Sequence, residues 1–198
     1  MVLGSDLVGE SLWTRIGESM DRVEERLMKV VQVLESSGVP YAVVGGNAVR
    51  IWVAQVDKTA VRATNNVDIL IRQHDLEIVK QAMHQHGFHY RHTAGLDMFV
   101  EDENESARHA VHVVLANQMV RPDDYEPNPD VEPNEYGEGV RTLPLERLVR
   151  MKLNSFRLKD RVHLLDMIHM GLIDSTWPTK FPSPLGERLK HLVENPEQ

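Results

Sequence analysis

The sequence predicts an α/β or α+β core with a C-terminal helical extension. Three observations lead there. Helical and extended apolar patterns alternate through the first half of the chain. The C-terminal part returns to a helical period. The 198 residues, 41% of them apolar, suffice for one domain with a true core and an added subdomain.

The first helix is expected from about Gly17 to Ser36, because Val23, Leu27, Val30, Val31 and Leu34 recur at threes and fours. Gly38 and Pro40 end it. Tyr41–Val44 reads as a short buried strand that runs into Gly45-Gly46 and a helical stretch from Asn47 to Ala54. A second strand is expected over Val67–Ile71. Asp75 reads as the N-cap of a helix reaching His86, closed by Gly87. Strands follow near Phe88–His92, Asp97–Val100 and Ala110–Leu115. The stretch from Arg121 to Gly139, rich in Pro, Asp and Asn, reads as a long loop. Helices resume at Leu145–Asn154, Lys159–Met170 and Leu185–Val193.

Composition excludes several classes. Without cysteine there is no disulfide scaffold, thiolate metal site or cysteine nucleophile. The apolar runs fall short of a membrane span, and the start MVLGSDLVGE lacks the pattern of a secretory signal. A cytoplasmic, soluble protein is the expectation. The net charge of -8 argues against an unspecialised nucleic-acid coat. That charge is uneven, however. Eleven acids face two arginines between Glu101 and Glu138, whereas seven Lys and Arg face two acids between Arg141 and His163.

Chemistry concentrates between Tyr41 and Ile71. A double glycine between strand and helix permits a sharp turn and close approach of a phosphate to the main chain. The helix N-terminus behind it offers unpaired N–H groups. The P-loop lysine and the third glycine of a dinucleotide fingerprint are both missing, and a tight connection would also use two glycines. Asn66 and Asp68, two apart in a strand, project to one face, with Arg62 and Thr64 placed to brace that edge. A solvated strand face would show the same alternation.

Val43-Val44-Gly45-Gly46 followed by Arg62-Ala63-Thr64-Asn65-Asn66-Val67-Asp68-Ile69-Leu70 resembles the nucleotidyltransferase superfamily related to DNA polymerase β. The run from Leu148 to Asp160, with Lys152 and the later Arg157-Leu158-Lys159-Asp160, is similar to the helical signature of its small bacterial, abortive-infection toxin-type branch. The resemblance covers roughly residues 38 to 173. It implies a mixed sheet flanked by helices. It divides the chain into an N-terminal helical segment (1–37), a nucleotidyltransferase-like core (38–120), an acidic loop (121–140) and a C-terminal helical region (141–198). It also implies a site in which Gly45, Gly46, Asn47, Arg62, Thr64, Lys152, Arg157 and Lys159 meet nucleotide phosphates. Carboxylates in such a site hold two magnesium ions.

The departures fall on those carboxylates. Asn66 stands where the first aspartate is expected, Asp68 remains, and His112 stands at the third position. Each exchange removes a negative charge, and imidazole suits transition metals better than magnesium. Asp68 and His112 are the candidate metal ligands, with Asn66 auxiliary. Magnesium or manganese is the expected ion and zinc a lesser candidate. Three readings follow. The chain is a degenerate transferase that binds a nucleotide or other phosphate-bearing ligand. It transfers a nucleoside monophosphate using another metal or another carboxylate, such as Asp97. Or it is an inactive interaction module with a protein or RNA partner, as in a toxin–antitoxin pair. The histidines His84, His86, His89 and His92 cluster in sequence around Gly87, but two-residue spacing on a helix does not converge ligands.

Overall fold

Tyr41–Val44, strand β1, is buried at all four positions and forms the middle of the fold. A computed structural model describes residues 5–132, 134–137 and 139–196. In chain order the other strands are β2 (Val67–Ile71), β3 (His89–Thr93), β4 (Leu96–Val100), β5 (Val111–Leu115), β6 (Glu135–Gly137) and β7 (Val140–Thr142). The helices are α1 (Ser5–Ser37), α2 (Gly45–Ala54), α3 (Leu76–Gln85), α4 (Leu145–Ser155), α5 (Leu158–His169) and α6 (Ser183–Glu194). The strands form one seven-stranded mixed sheet in the order β3-β4-β5-β2-β1-β7-β6. The result is the expected mixed α/β fold, with helices on the sheet and further helices at the C-terminal end.

Alternation along the strands divides two cores. Val43, Ile69, Val111 and Val113 face one way, against Val30 and Leu34 of α1 and Val79 and Met83 of α3. Ala42, Val44 and Leu70 face the other way, against α2, α4, α5 and α6. His112 lies on that second face, in register with Asp68 on β2 and with Met98 on β4.

Several boundaries differ from the sequence reading. Helix α1 begins at Ser5, twelve residues before Gly17, where the apolar period is not yet evident. Asp75 does sit at the N-cap of α3, but its side chain makes no capping bond there; a short helical turn, Gln73–Asp75, leads into the helix instead. The expected loop from Arg121 to Gly139 contains β6 and part of the β6–β7 hairpin, which adds to the edge of the sheet beside β1. Three-residue strands among Pro and Gly are too short to show a period of two. The helix read to start at Lys159 starts at Leu158, after a break at Phe156, which caps α4 in the left-handed region (φ 41°).

Gly45 is the tightest point of this frame. Its φ is +67°, and a side chain there would overlap the Asp68 carboxylate outright. Gly87 also has positive φ (+83°) but open space around it. Alanine at either position pays left-handed strain of about 1–2 kcal/mol; alanine at Gly45 must also displace Asp68. Gly45→Ala is therefore expected to lower unfolding free energy by at least about 2 kcal/mol more than Gly87→Ala, measured by urea denaturation.

Candidate functional site

Three side chains meet at the ends of β2 and β5. Asn66 Nδ2 donates to Asp68 Oδ1 at 2.7 Å and lies 3.2 Å from His112 Nδ1. His112 Nδ1 lies 3.3 Å from Asp68 Oδ1. The ring's other nitrogen, Nε2, is 2.8 Å from the Ala107 carbonyl oxygen. A carbonyl only accepts, so Nε2 carries a hydrogen. Asn66 is held in turn by α2, where the buried Asn47 donates Nδ2–H to the Asn66 carbonyl at 2.8 Å. The hydrogen bond to Asp68 raises the His112 pKa above its ordinary value, although burial works against it.

The turn of the double glycine is packed from two sides. Gly45 abuts Asp68, and a Cβ on Gly46 would lie 2.9 Å from Thr64 Oγ1 and 3.8 Å from His163 Cε1. Helix α2 starts there with no capping side chain and no acid in its first turn. Its first N–H groups carry the positive end of the helix dipole, and the Asp68 carboxylate packs against Gly45 there.

Helices α4 and α5 supply charge from across the crevice. Asp160, fully buried, accepts from Lys152 Nζ at 3.3 Å, Ser155 Oγ at 2.8 Å and Arg157 Nε at 2.8 Å. Burial alone would raise its carboxyl, but Arg157 and Lys152 outweigh that and hold it at about 2. Burial lowers the Lys152 ammonium below the usual lysine range, while Asp160 and then Asp68 oppose the shift. Lys159 is exposed, has no ion pair among the described residues, and its charge is felt by Lys152, His112 and His163. His163, beside Gly46, has a buried Nδ1 with no hydrogen-bond partner. Burial, then nearby Lys152, pushes its pKa down to about 4.

The candidates named from sequence thus divide. Gly45, Asn66, Asp68 and His112 come together, and Thr64 and His163 pack on Gly46; Lys152 is buried against Asp160, and Lys159 is exposed on the first turn of α5. Asn47 is a support whose amide is committed to Asn66. Arg62 pairs with Asp166 at 2.6 Å, and Arg157 is committed to Asp160. Lys152 lies on α4 and Lys159 on α5, separated by the break at Phe156. Asp97 does not replace the missing carboxylate. It pairs in register with Val113, whereas Met98 pairs with His112, so Asp97 projects from the opposite face. There it accepts from Tyr90 and contacts His92. His84, His86, His89 and His92 do not converge either; His84 and His89 meet edge to face, and His86 binds the Ala82 carbonyl.

Sequence reasoning missed the role of Asp160 as a hub and of the Ala107 carbonyl. Asp160 was legible only as part of a motif, and a main-chain acceptor has no residue signature. A larger cleft, about 550 Å³, lies at the other end of β5, beyond Asn117. Its cations are engaged: Arg150 with Glu126 at 3.0 Å, Lys180 with Glu146 at 3.6 Å.

The donor set does not fit a pair of magnesium ions. Only Asp68 is a carboxylate, and Asn66 and His112 bind it instead of standing beside it as free ligands. Among the described residues, no group of three or more His, Cys, Asp or Glu is placed to hold a metal. No described helix is long and apolar enough to cross a membrane.

The fold is nucleotidyltransferase-like. An antigenic nucleotidyltransferase-like protein from Paracoccidioides brasiliensis is similar with 17% identity and a TM-score of 0.54, over 89% of each chain. JHP933 from Helicobacter pylori is similar with 16% identity and a TM-score of 0.51, over 91% of this chain and 76% of that one. The antibiotic-resistance factor ANT(2'')-Ia is similar with 13% identity and a TM-score of 0.50, over 89% of this chain and 94% of its own. The likeness shows the fold alone and singles out no branch within it. No family profile and no curated protein sequence matches the chain.

The two site histidines push stability in opposite directions with pH. His112, with a raised folded pKa, contributes stability that is full below pH 6.5 and lost as pH rises through its elevated value. His163, with a folded pKa of about 4, costs stability as pH falls from 6.5 towards 4, where the unfolded chain binds the proton first. Thermal unfolding of His163→Asn should flatten the decline in that window, whereas His112→Asn should leave that window unchanged and remove a decline that sets in above pH 6.5.

Proposed function

We propose that the chain binds a nucleotide or another phosphate-bearing ligand in the crevice between Gly45-Gly46 and the start of α5, without two-metal transfer. The observation that carries this reading is the start of α2 at Gly45-Gly46, with His163 of α5 packed beside Gly46 and the exposed Lys159 four residues before it on the same helix. Main-chain N–H groups and a nearby ammonium group favour an anion. His163, neutral at pH 7, presents a ring without a proton charge of its own. The likeness of the fold to nucleotidyltransferases supports a nucleotide as the ligand.

Transfer of a nucleoside monophosphate needs a developing charge neutralised at the attacking and leaving oxygens. One carboxylate already bound by an amide and an imidazole gives metal ions little hold there. Binding without transfer is the outcome that the side chains favour.

ATP is expected to raise the thermal unfolding midpoint, since a ligand at one hundred times its Kd adds about 2.7 kcal/mol. Gly46→Ala, whose Cβ would fall 2.9 Å from Thr64 Oγ1, should weaken the shift. ATP labelled at the α-phosphate should leave no label on protein, RNA or small hydroxyl acceptors with magnesium or manganese. An unchanged midpoint at saturating ATP and pyrophosphate would remove the binding reading, and Asp68-dependent labelling would remove the inactive one.

A further inference from the structure

One oxygen of the Asp68 carboxylate is taken up within the protein, and the other lies against the Gly45 main chain. Oδ1 receives Asn66 Nδ2–H at 2.7 Å and faces His112 Nδ1 at 3.3 Å. Oδ2 fills the space that a side chain on Gly45 would need. The amide orientation of Asn66 follows from chemistry: its oxygen turned towards the carboxylate at that distance would be repelled.

The imidazole is equally committed. Nε2–H is spent on the Ala107 carbonyl, which leaves only Nδ1 towards the site. In the neutral ring the Nδ1 lone pair accepts from Asn66; in the charged ring Nδ1–H donates to Asp68. Neither state offers a lone pair to an ion. A divalent cation at the remaining Asp68 oxygen would gain a single carboxylate, with Asn66 and His112 both turned to that carboxylate, and a hard cation wants several oxygens.

The crevice nevertheless holds positive charge of its own. Lys152 is paired with Asp160, and Arg157 also serves Asp160. Lys159 remains exposed and unpaired among the described residues, four residues before His163 on α5 and so on the helix face that meets Gly46. Its flexible stem can bring an ammonium to a phosphate oxygen.

We infer that this site takes its phosphate-bearing ligand without a divalent ion, with Lys159 supplying the cation that a metal supplies in a carboxylate-lined site. The ligand half of this inference rests on the proposed phosphate binding; the metal half rests on the Asn66–Asp68–His112 ring alone.

Two measurements separate the halves. The first is titration of Mn²⁺ into ligand-free protein, followed by electron paramagnetic resonance. Wild type and Asp68→Asn should leave the same free-ion signal. Asn66→Asp combined with His112→Asp restores three carboxylates and should bind Mn²⁺ at least about tenfold more tightly than wild type. Mn²⁺ held by wild type and released in Asp68→Asn overturns the metal half, whether or not the double variant folds.

The second is calorimetric titration of pyrophosphate and ATP, in EDTA and then in magnesium. The affinity in EDTA should stay within about twofold of that in magnesium, and Lys159→Ala should lose about tenfold in both while Lys159→Arg retains most of it. Affinity that collapses in EDTA, or that ignores Lys159, overturns the inference. Absence of binding by both ligands in both buffers overturns the phosphate reading itself, and the Mn²⁺ signal still decides the metal half.

Discussion

The carboxylate of Asp68, set at the end of a buried strand, is the constraint on which the rest of the site depends. A half-buried carboxylate must be met by donors or a cation. The fold meets it with an amide and an imidazole, both placed by backbone geometry. Antiparallel pairing of β1 with β2 sets Val44 opposite Asp68, so the chain leaving β1 must turn directly against the carboxylate. Only a residue without Cβ fits, and Gly45 fills that place with a positive φ. Parallel pairing of β2 with β5 puts His112 beside Asp68, and the turn before β5 fixes the ring through Ala107.

A second buried carboxylate organises the opposite wall. Asp160 gathers Lys152, Ser155 and Arg157, and its bond to the Arg157 main-chain N–H at 3.2 Å starts α5 after the Phe156 break. Removing the charge of such a hub would leave cations buried without a partner, which costs more than the pairing itself contributes. The same break directs Lys159 outward and brings His163 inward against Gly46. Charges of both signs are therefore paired on each wall, and the cation left over faces the crevice.

Much of this was legible in the sequence, for identifiable reasons. Periods of two and three to four gave β1, β2 and most helices. The Gly45-Gly46 pair and the alternation of Asn66 with Asp68 located the site, because both are local features. The face shared by Asp68 and His112 depended on a parallel pairing across 44 residues, which spacing alone could only suggest. Asp97 looked available because strand order and register are not local; the pairing with Val113 turns it away. The short β6–β7 hairpin was hidden by its length.

The most direct test of the Asp68 ring is nitrogen-15 NMR of the His112 imidazole across a pH titration, in wild type and in Asp68→Asn. Nε2 should hold its proton throughout, Nδ1 should be the nitrogen that titrates, and its midpoint should fall when Asp68 loses its charge. A ring protonated on Nδ1 alone when neutral, or a midpoint indifferent to Asp68, would contradict the ring as described.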